Sequence, residues 1–142
     1  MKKIAFLILL VLPFCGFTQS SEFVKNINQT KQSYIDRGYK PVTEIGDSIS
    51  TMSPLVTPLI NLDYNTYYIV VVQLDGCFYC EYDLQFVDSE EYLFKVDYES
   101  EVKDGLKQGI YKFTNDENKT GKYVVFLDSD LPYYANVFVF KR

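Results

Sequence analysis

The spacing of apolar side chains changes once along this chain, near residue 40, and the change divides it in two. Upstream, Phe23, Ile27, Tyr34 and Ile35 recur at helical intervals, while Lys25, Asn28, Lys31 and Gln32 occupy the other side. That spacing predicts a helix over 20–37. Ser20 or Ser21 supplies an N-cap oxygen and Glu22 faces the positive end of the helix dipole. Gly38, followed by Pro41, marks the stop. The apolar stripe is narrow, so this helix, within an N-terminal segment 19–40, is expected to pack on the rest of the domain.

From Pro41 onward the period is two. Residues 39–62 contain Pro41, Pro54 and Pro58, so weak strands there belong at a sheet edge. Tyr67 to Leu74 is a nearly continuous β-branched and aromatic run, the pattern of a central strand buried on both faces. Tyr82, Leu84 and Phe86 then alternate with Glu81, Asp83 and Gln85. Tyr92, Phe94, Val96 and Tyr98 alternate in turn with Leu93, Lys95 and Asp97. Ile110 to Phe113, Lys122 to Leu127 and Ala135 to Phe140 complete the strands. Asp104-Gly105, Asn115 to Gly121 and Asp128 to Pro132 are turn-forming stretches between them. Short strands with no intervening helix predict a mainly β domain over 41–142, an antiparallel β-sandwich or jelly roll, preceded by one N-terminal α-helix.

The first eighteen residues follow a third pattern. Lys2 and Lys3 precede an apolar run from Ile4 to Leu12, broken by Pro13, with Gly16 and Thr18 beyond. This is the layout of a secretory signal peptide over 1–18, cut before Gln19. An exported protein, periplasmic or extracellular, is the expectation. Leu12-Pro13-Phe14-Cys15 offers the alternative of a lipoprotein anchored through Cys15, although Phe14 stands where such signals carry a small residue. No later apolar run approaches the ~20 residues of a membrane helix.

Composition narrows the chemistry. Loss of Lys2 and Lys3 takes the formal charge from −5 to −7, a sign that repels phosphate backbones, and no Lys/Arg stripe reverses it. Nucleic acid is not an expected partner. With no His, the chain lacks the commonest general acid–base group and the usual imidazole ligands of catalytic zinc. Thirteen Tyr and 11 Phe suit a pleated core, and Tyr133-Tyr134, expected in a loop, are candidates for an exposed aromatic shelf that binds sugar rings.

Cys77-Phe78-Tyr79-Cys80 follows the strongest strand, the setting of a thiol–disulfide oxidoreductase. That chemistry requires a helix starting at the cysteines, whereas the residues after Cys80 alternate with the period of a strand. Across a straight strand the two Cys would stand about 10 Å apart, at ~3.3 Å per residue. A β-turn brings them within ~7 Å, inside disulfide reach. A Cys77–Cys80 bridge across a turn is therefore the structural alternative to a redox pair. Two thiolates with no His leave a zinc shell half empty. The acidic clusters 88–91, 97–101 and 128–130 admit calcium as a further possibility, without the spacing of a known calcium loop.

Tyr67 to Val72, Cys77 to Cys80, Tyr82-Asp83-Leu84-Gln85-Phe86, Asp88 and Gly121 to Val125 together resemble the pre-peptidase C-terminal (PPC)-like β-sandwich domains of secreted bacterial proteins. The resemblance covers residues 55–142. It implies a jelly-roll fold and a non-catalytic accessory role, with binding of polymers or calcium. By position it matches Asp83 and Asp88 to the family's acidic strand and following Asp, with Glu81 in place of a further Asp. The Phe-Thr-Gln ending of the leader resembles signal peptides of the Bacteroidetes. The sequence thus supports an exported, non-catalytic binding or structural module with no cofactor, or calcium at most. Its ligand would be a glycan or a protein. A periplasmic oxidoreductase and a calcium-stabilised accessory domain are the alternatives.

Overall fold

The computed structural model describes residues 19–90, 93–95, 99–103 and 106–142. Among the described residues one helix, α1 (Ser21–Asp36), precedes ten strands. These are β1 (Lys40–Ile49), β2 (Leu55–Val56), β3 (Ile60–Leu62), β4 (Tyr67–Asp75), β5 (Glu81–Asp88), β6 (Leu93–Lys95), β7 (Glu99–Lys103), β8 (Leu106–Thr114), β9 (Lys119–Asp128) and β10 (Tyr133–Lys141). The first sheet has the order β1-β10-β4-β8-β7. The second has the order β2-β9-β5-β6, with β3 also on β9. All pairings are antiparallel. The expected β-sandwich with its N-terminal helix is the fold.

The helix forms where its pattern placed it. Ser20 is the N-cap, its Oγ accepting from Phe23 N at 3.1 Å. At the other end Gly38 adopts φ +86°, donating to Ile35 O, while Tyr39 N donates to Tyr34 O. These two bonds close the helix as a Schellman motif, which needs a residue tolerant of positive φ. Phe23, Ile27 and Tyr34 are buried, but Ile35 is largely exposed. It sits one residue, or 100°, round from Tyr34 and off the stripe.

α1 lies on the outer face of the first sheet, so that sheet is buried on both sides. Val70, Val72 and Leu74 of β4 point into the sandwich, and Ile69 and Val71 point at the helix with Phe138 and Phe140 of β10. Tyr34 stacks on Phe140 at 4.8 Å and Phe23 meets Tyr134 edge-on at 5.7 Å. Each buried side chain of this kind contributes about 1.5–3 kcal/mol. One polar rung crosses this layer: Asn136, Gln73 and Gln108 stand opposite one another on β10, β4 and β8. Gln73 Nε2 donates to Gln108 Oε1 at 2.7 Å and up to Thr30 Oγ1 of α1 at 2.8 Å. That bond fixes where the helix sits along the sheet, which apolar contacts alone specify weakly.

Proline positions behave as their chemistry demands. β1 is the edge of the first sheet, and β2 and β3 share the outer edge of β9. Between them Thr57 keeps the ladder going, since its N donates to Tyr123 O and its Oγ1 accepts from Tyr123 N, each at 2.9 Å. Pro58 follows at once, where no ladder donor is needed. One stretch departs from the expected turns. Lys119 to Gly121 belong to β9, so the β8–β9 connection is confined to residues 115–118. Of the alternation expected over 92–98, Leu93–Lys95 form β6, and Tyr92 and 96–98 lie outside the described residues, as do Asp104-Gly105.

The end of the sandwich remote from the helix N-terminus is pinned by polar bonds. Buried Asn115 donates from Nδ2 to the carbonyls of Leu62 and Asp63, each at 3.1 Å, and of Glu117. Lys141 pairs with Asp63 at 2.9 Å and Lys119 with Glu117 at 2.7 Å. The Lys141 ammonium holds the Asp63 carboxyl below its ordinary pKa, and burial raises that of the neighbouring Tyr68 hydroxyl. Burial likewise pushes the Tyr123 phenol far up.

Candidate functional site

The strand registers bring three connections together at the opposite end. Ile49, the last residue of β1, stands opposite Tyr133, the first of β10, and Ala135 stands opposite Leu74 near the end of β4. In the second sheet Glu81, the first residue of β5, stands opposite Asp128, the last of β9. Residues 50–54, 129–132 and 76–80 therefore all cross between the sheets at one end, side by side. Thr51 N donates to Ser129 O at 2.8 Å and Ser129 N to Thr51 Oγ1 at 3.1 Å, which ties the first two together. The N-terminus of α1 joins them: Asp75 accepts from both Ser20 N and Ser20 Oγ at 2.9 Å.

Each of these loops carries an exposed apolar side chain at its tip. Tyr79 is 99% exposed, Met52 94% and Leu131 66%, the highest values among the large apolar side chains described, and Phe78 is 52% exposed beside Tyr79. Exposing such side chains together brings no folding benefit. Two clefts open next to them. One, of about 430 Å³, is walled by Thr51, Glu81, Asp83, Phe126 and Asp128 over Tyr82 and Leu127. A smaller one, about 210 Å³, lies between the start of α1 and Asp75, Gly76, Phe78 and Leu106.

The cysteines shape the third loop. Their Cα atoms are 5.7 Å apart, within the separation a disulfide spans. The loop is an inter-sheet crossing between β4 and β5, not a hairpin within one sheet. Cys77 is buried and Cys80 packs against the core, so Phe78 and Tyr79 are thrust outward between two inward anchors. Lys107 of β8 reaches over the Tyr82 ring, 5.7 Å from its centroid, and its Nζ donates to Cys80 O. Strand β5 starts directly after Cys80, so the pair does not sit at a helix N-terminus, the device that stabilises a reactive thiolate.

The other sequence candidates take different places. Tyr133 and Tyr134 begin β10 instead of lying in a loop, because the strand extends to meet Ile49 and Ser48 of β1. Being consecutive, they point to opposite faces. Tyr133 packs against the sandwich core and Tyr134 against the helix layer, so they form no shared shelf. Asp83 and Asp88 are five residues apart on β5 and by strand parity face opposite sides. They cannot ligate one cation together. Asp83 lines the larger cleft, while Asp88 closes a turn by accepting from Glu90 N at 2.9 Å. Among the described residues no three His, Cys, Asp or Glu side chains gather as metal ligands. Nor is any described helix long and apolar enough to cross a membrane. Cys15 and the leader lie outside the described residues.

What sequence reasoning missed is the joint display of Met52, Tyr79 and Leu131. Each looks unremarkable in its own turn, and only the strand order makes them neighbours. Compared with family models, curated proteins and solved structures, the chain matches none.

Proposed function

We propose that this protein is an exported, non-catalytic binding module that recognises its partner through the loop end of the sandwich. The observation that carries the reading is the exposure of Tyr79, Met52 and Leu131, one from each inter-sheet loop, at the end of the sandwich where Thr51, Glu81 and Asp128 wall a cleft. Loops held by a rigid scaffold are the usual place for recognition in sandwich folds. The resemblance of residues 55–142 to PPC-like accessory domains agrees with such a role. In this reading Cys77 and Cys80 are bridged and serve as a clasp that presents two aromatic rings, with electron exchange no part of the function.

The test is a comparison of the wild type with a variant carrying Met52→Ser, Tyr79→Ser and Leu131→Ser on glycan and peptide arrays. All three side chains are solvent-facing, so the variant should keep its thermal midpoint while losing the ligands the wild type retains. Retention of those ligands by the variant, or a wild type that binds nothing on either array, refutes the assignment.

A further inference from the structure

We infer that the partner docked at this end is a basic stretch of polypeptide in which Lys or Arg residues are interleaved with apolar ones. The inference rests on the loop-end reading and adds the chemistry of what binds there. Apolar tips require apolar counterparts, but their surroundings decide the charge.

Glu81 and Asp128 stand directly opposite each other on β5 and β9, with Asp83 two residues along on the same face. Like charges in directly opposed positions destabilise a sheet. Asp130 adds a fourth carboxylate, exposed beside Leu131. No Lys or Arg occurs in residues 50–54, 76–80 or 129–132, nor among the residues lining either cleft. The nearby Lys107 is turned inward onto Cys80 O. The opposite end of the sandwich is built differently, with Lys141 and Lys119 paired to Asp63 and Glu117.

The carboxylates therefore go without a described cation at the end where Tyr79 and Met52, the two most exposed of the described large apolar side chains, are offered to solvent. A guanidinium or ammonium seated between Glu81 and Asp128 would remove their mutual repulsion. Its alkyl stem would run over Phe126, which is 40% exposed on the same face. Neighbouring apolar residues of the same segment would meet Leu131, Met52 and Tyr79. An acidic partner, an anionic lipid surface or a nucleic acid would instead add to the repulsion.

The experiment uses an array of hexapeptides that alternate Lys or Arg with apolar residues. Matched sets carry Glu in place of the bases, or Ser in place of the apolar positions, and soluble glycans are included. The basic–apolar set should bind best, and raising the salt to about 0.5 M should weaken it. Glu81→Gln with Asp128→Asn should cost about tenfold in affinity. The same pair of substitutions should raise the thermal midpoint, because it removes opposed charges from the sheet, so lost binding cannot be ascribed to unfolding. If acidic peptides, neutral peptides or glycans bind as well as basic ones, and Tyr79→Ser abolishes their binding, the basic partner is refuted while the loop-end reading stands. Basic peptides that bind regardless of Tyr79→Ser and Leu131→Ser refute both. Absence of any binding by the basic set overturns the inference.

Discussion

Asn115→Ala removes the amide that ties the connection before β4 to the connection before β9. Its Nδ2 serves the carbonyls of Leu62, Asp63 and Glu117 with two protons, and only the bond to Leu62 O is fully buried. A buried acceptor stripped of its donor costs about 1–3 kcal/mol, and each of the two part-exposed bonds about half a kilocalorie, so the whole loss is about 2–4 kcal/mol. With a urea slope of ~1.5 kcal/mol per molar, the unfolding midpoint should fall by roughly 1.3–2.7 M. Asn115→Asp sharpens the test. Its carboxylate would face three carbonyl oxygens with no proton to offer, so its pKa in the folded state must lie above the unfolded value of about 3.9. Above the folded pKa the full penalty applies; below the unfolded value the protonated acid donates one bond and the deficit narrows. Urea titrations of both variants at neutral and acid pH measure this. A midpoint shift below about 0.3 M for the alanine variant, or an aspartate variant whose deficit ignores pH, would refute the argument.

Gly121→Ala should be the harsher of two glycine substitutions. Its Cβ would strike the Val87 carbonyl oxygen and the Phe86 ring and come within 2.9 Å of Asp88 Cα, so backbone must move. A melt should show a loss of about 1–3 kcal/mol. Gly46→Ala, which meets the side-chain tips of Asn136 and Tyr134, should lose less. Asp63 is held below its ordinary pKa by Lys141. The stabilisation it gives is present above the unfolded carboxylate value and disappears as pH falls through the folded one, so the acid-unfolding curves of wild type and Asp63→Asn should converge at low pH. Protein purified without reductant should contain no titratable thiol at Cys77 or Cys80, and Cys77→Ala with Cys80→Ala should lower stability by about 2 kcal/mol. Insulin reduction that depends on Cys77 would reverse the ranking of clasp over redox centre. Calcium and a chelator should leave the thermal midpoint unchanged, whereas a rise with calcium would restore the accessory-site reading of the acidic clusters.

The elements most legible in the sequence were those whose burial is set by their own residues. β4 was readable because Tyr67 to Leu74 is apolar on both faces, and β5 because Tyr82, Leu84 and Phe86 alternate cleanly with polar neighbours. Where tertiary contacts overrode local preference, the reading fell short. Thr120 and Gly121 look like turn formers, yet Gly121 belongs to β9 because only a residue without a side chain lets Val87 approach so closely. The Asp, Ser and Pro before Tyr133 and Tyr134 suggest a loop, but pairing with β1 draws them into β10. Gln73 sits unnoticed within the apolar run of β4, and its bonds to Thr30 and Gln108 depend on a helix 43 residues away in the chain and a strand 35 residues away. The loop end was least legible of all, since convergence of residues 50–54, 76–80 and 129–132 follows from strand order and from nothing local.

The placement of β10 between β1 and β4 has a consequence for biosynthesis. While the ribosome has yet to make residues 133–141, β1 has no partner in its sheet, and Phe138 and Phe140, on which the helix rests, do not exist. The first sheet and the helix layer on it thus stay incomplete, and that part of the chain loose, until translation has passed β10. Looseness of that kind is what a polypeptide needs if it is to be threaded unfolded through a narrow translocation pore.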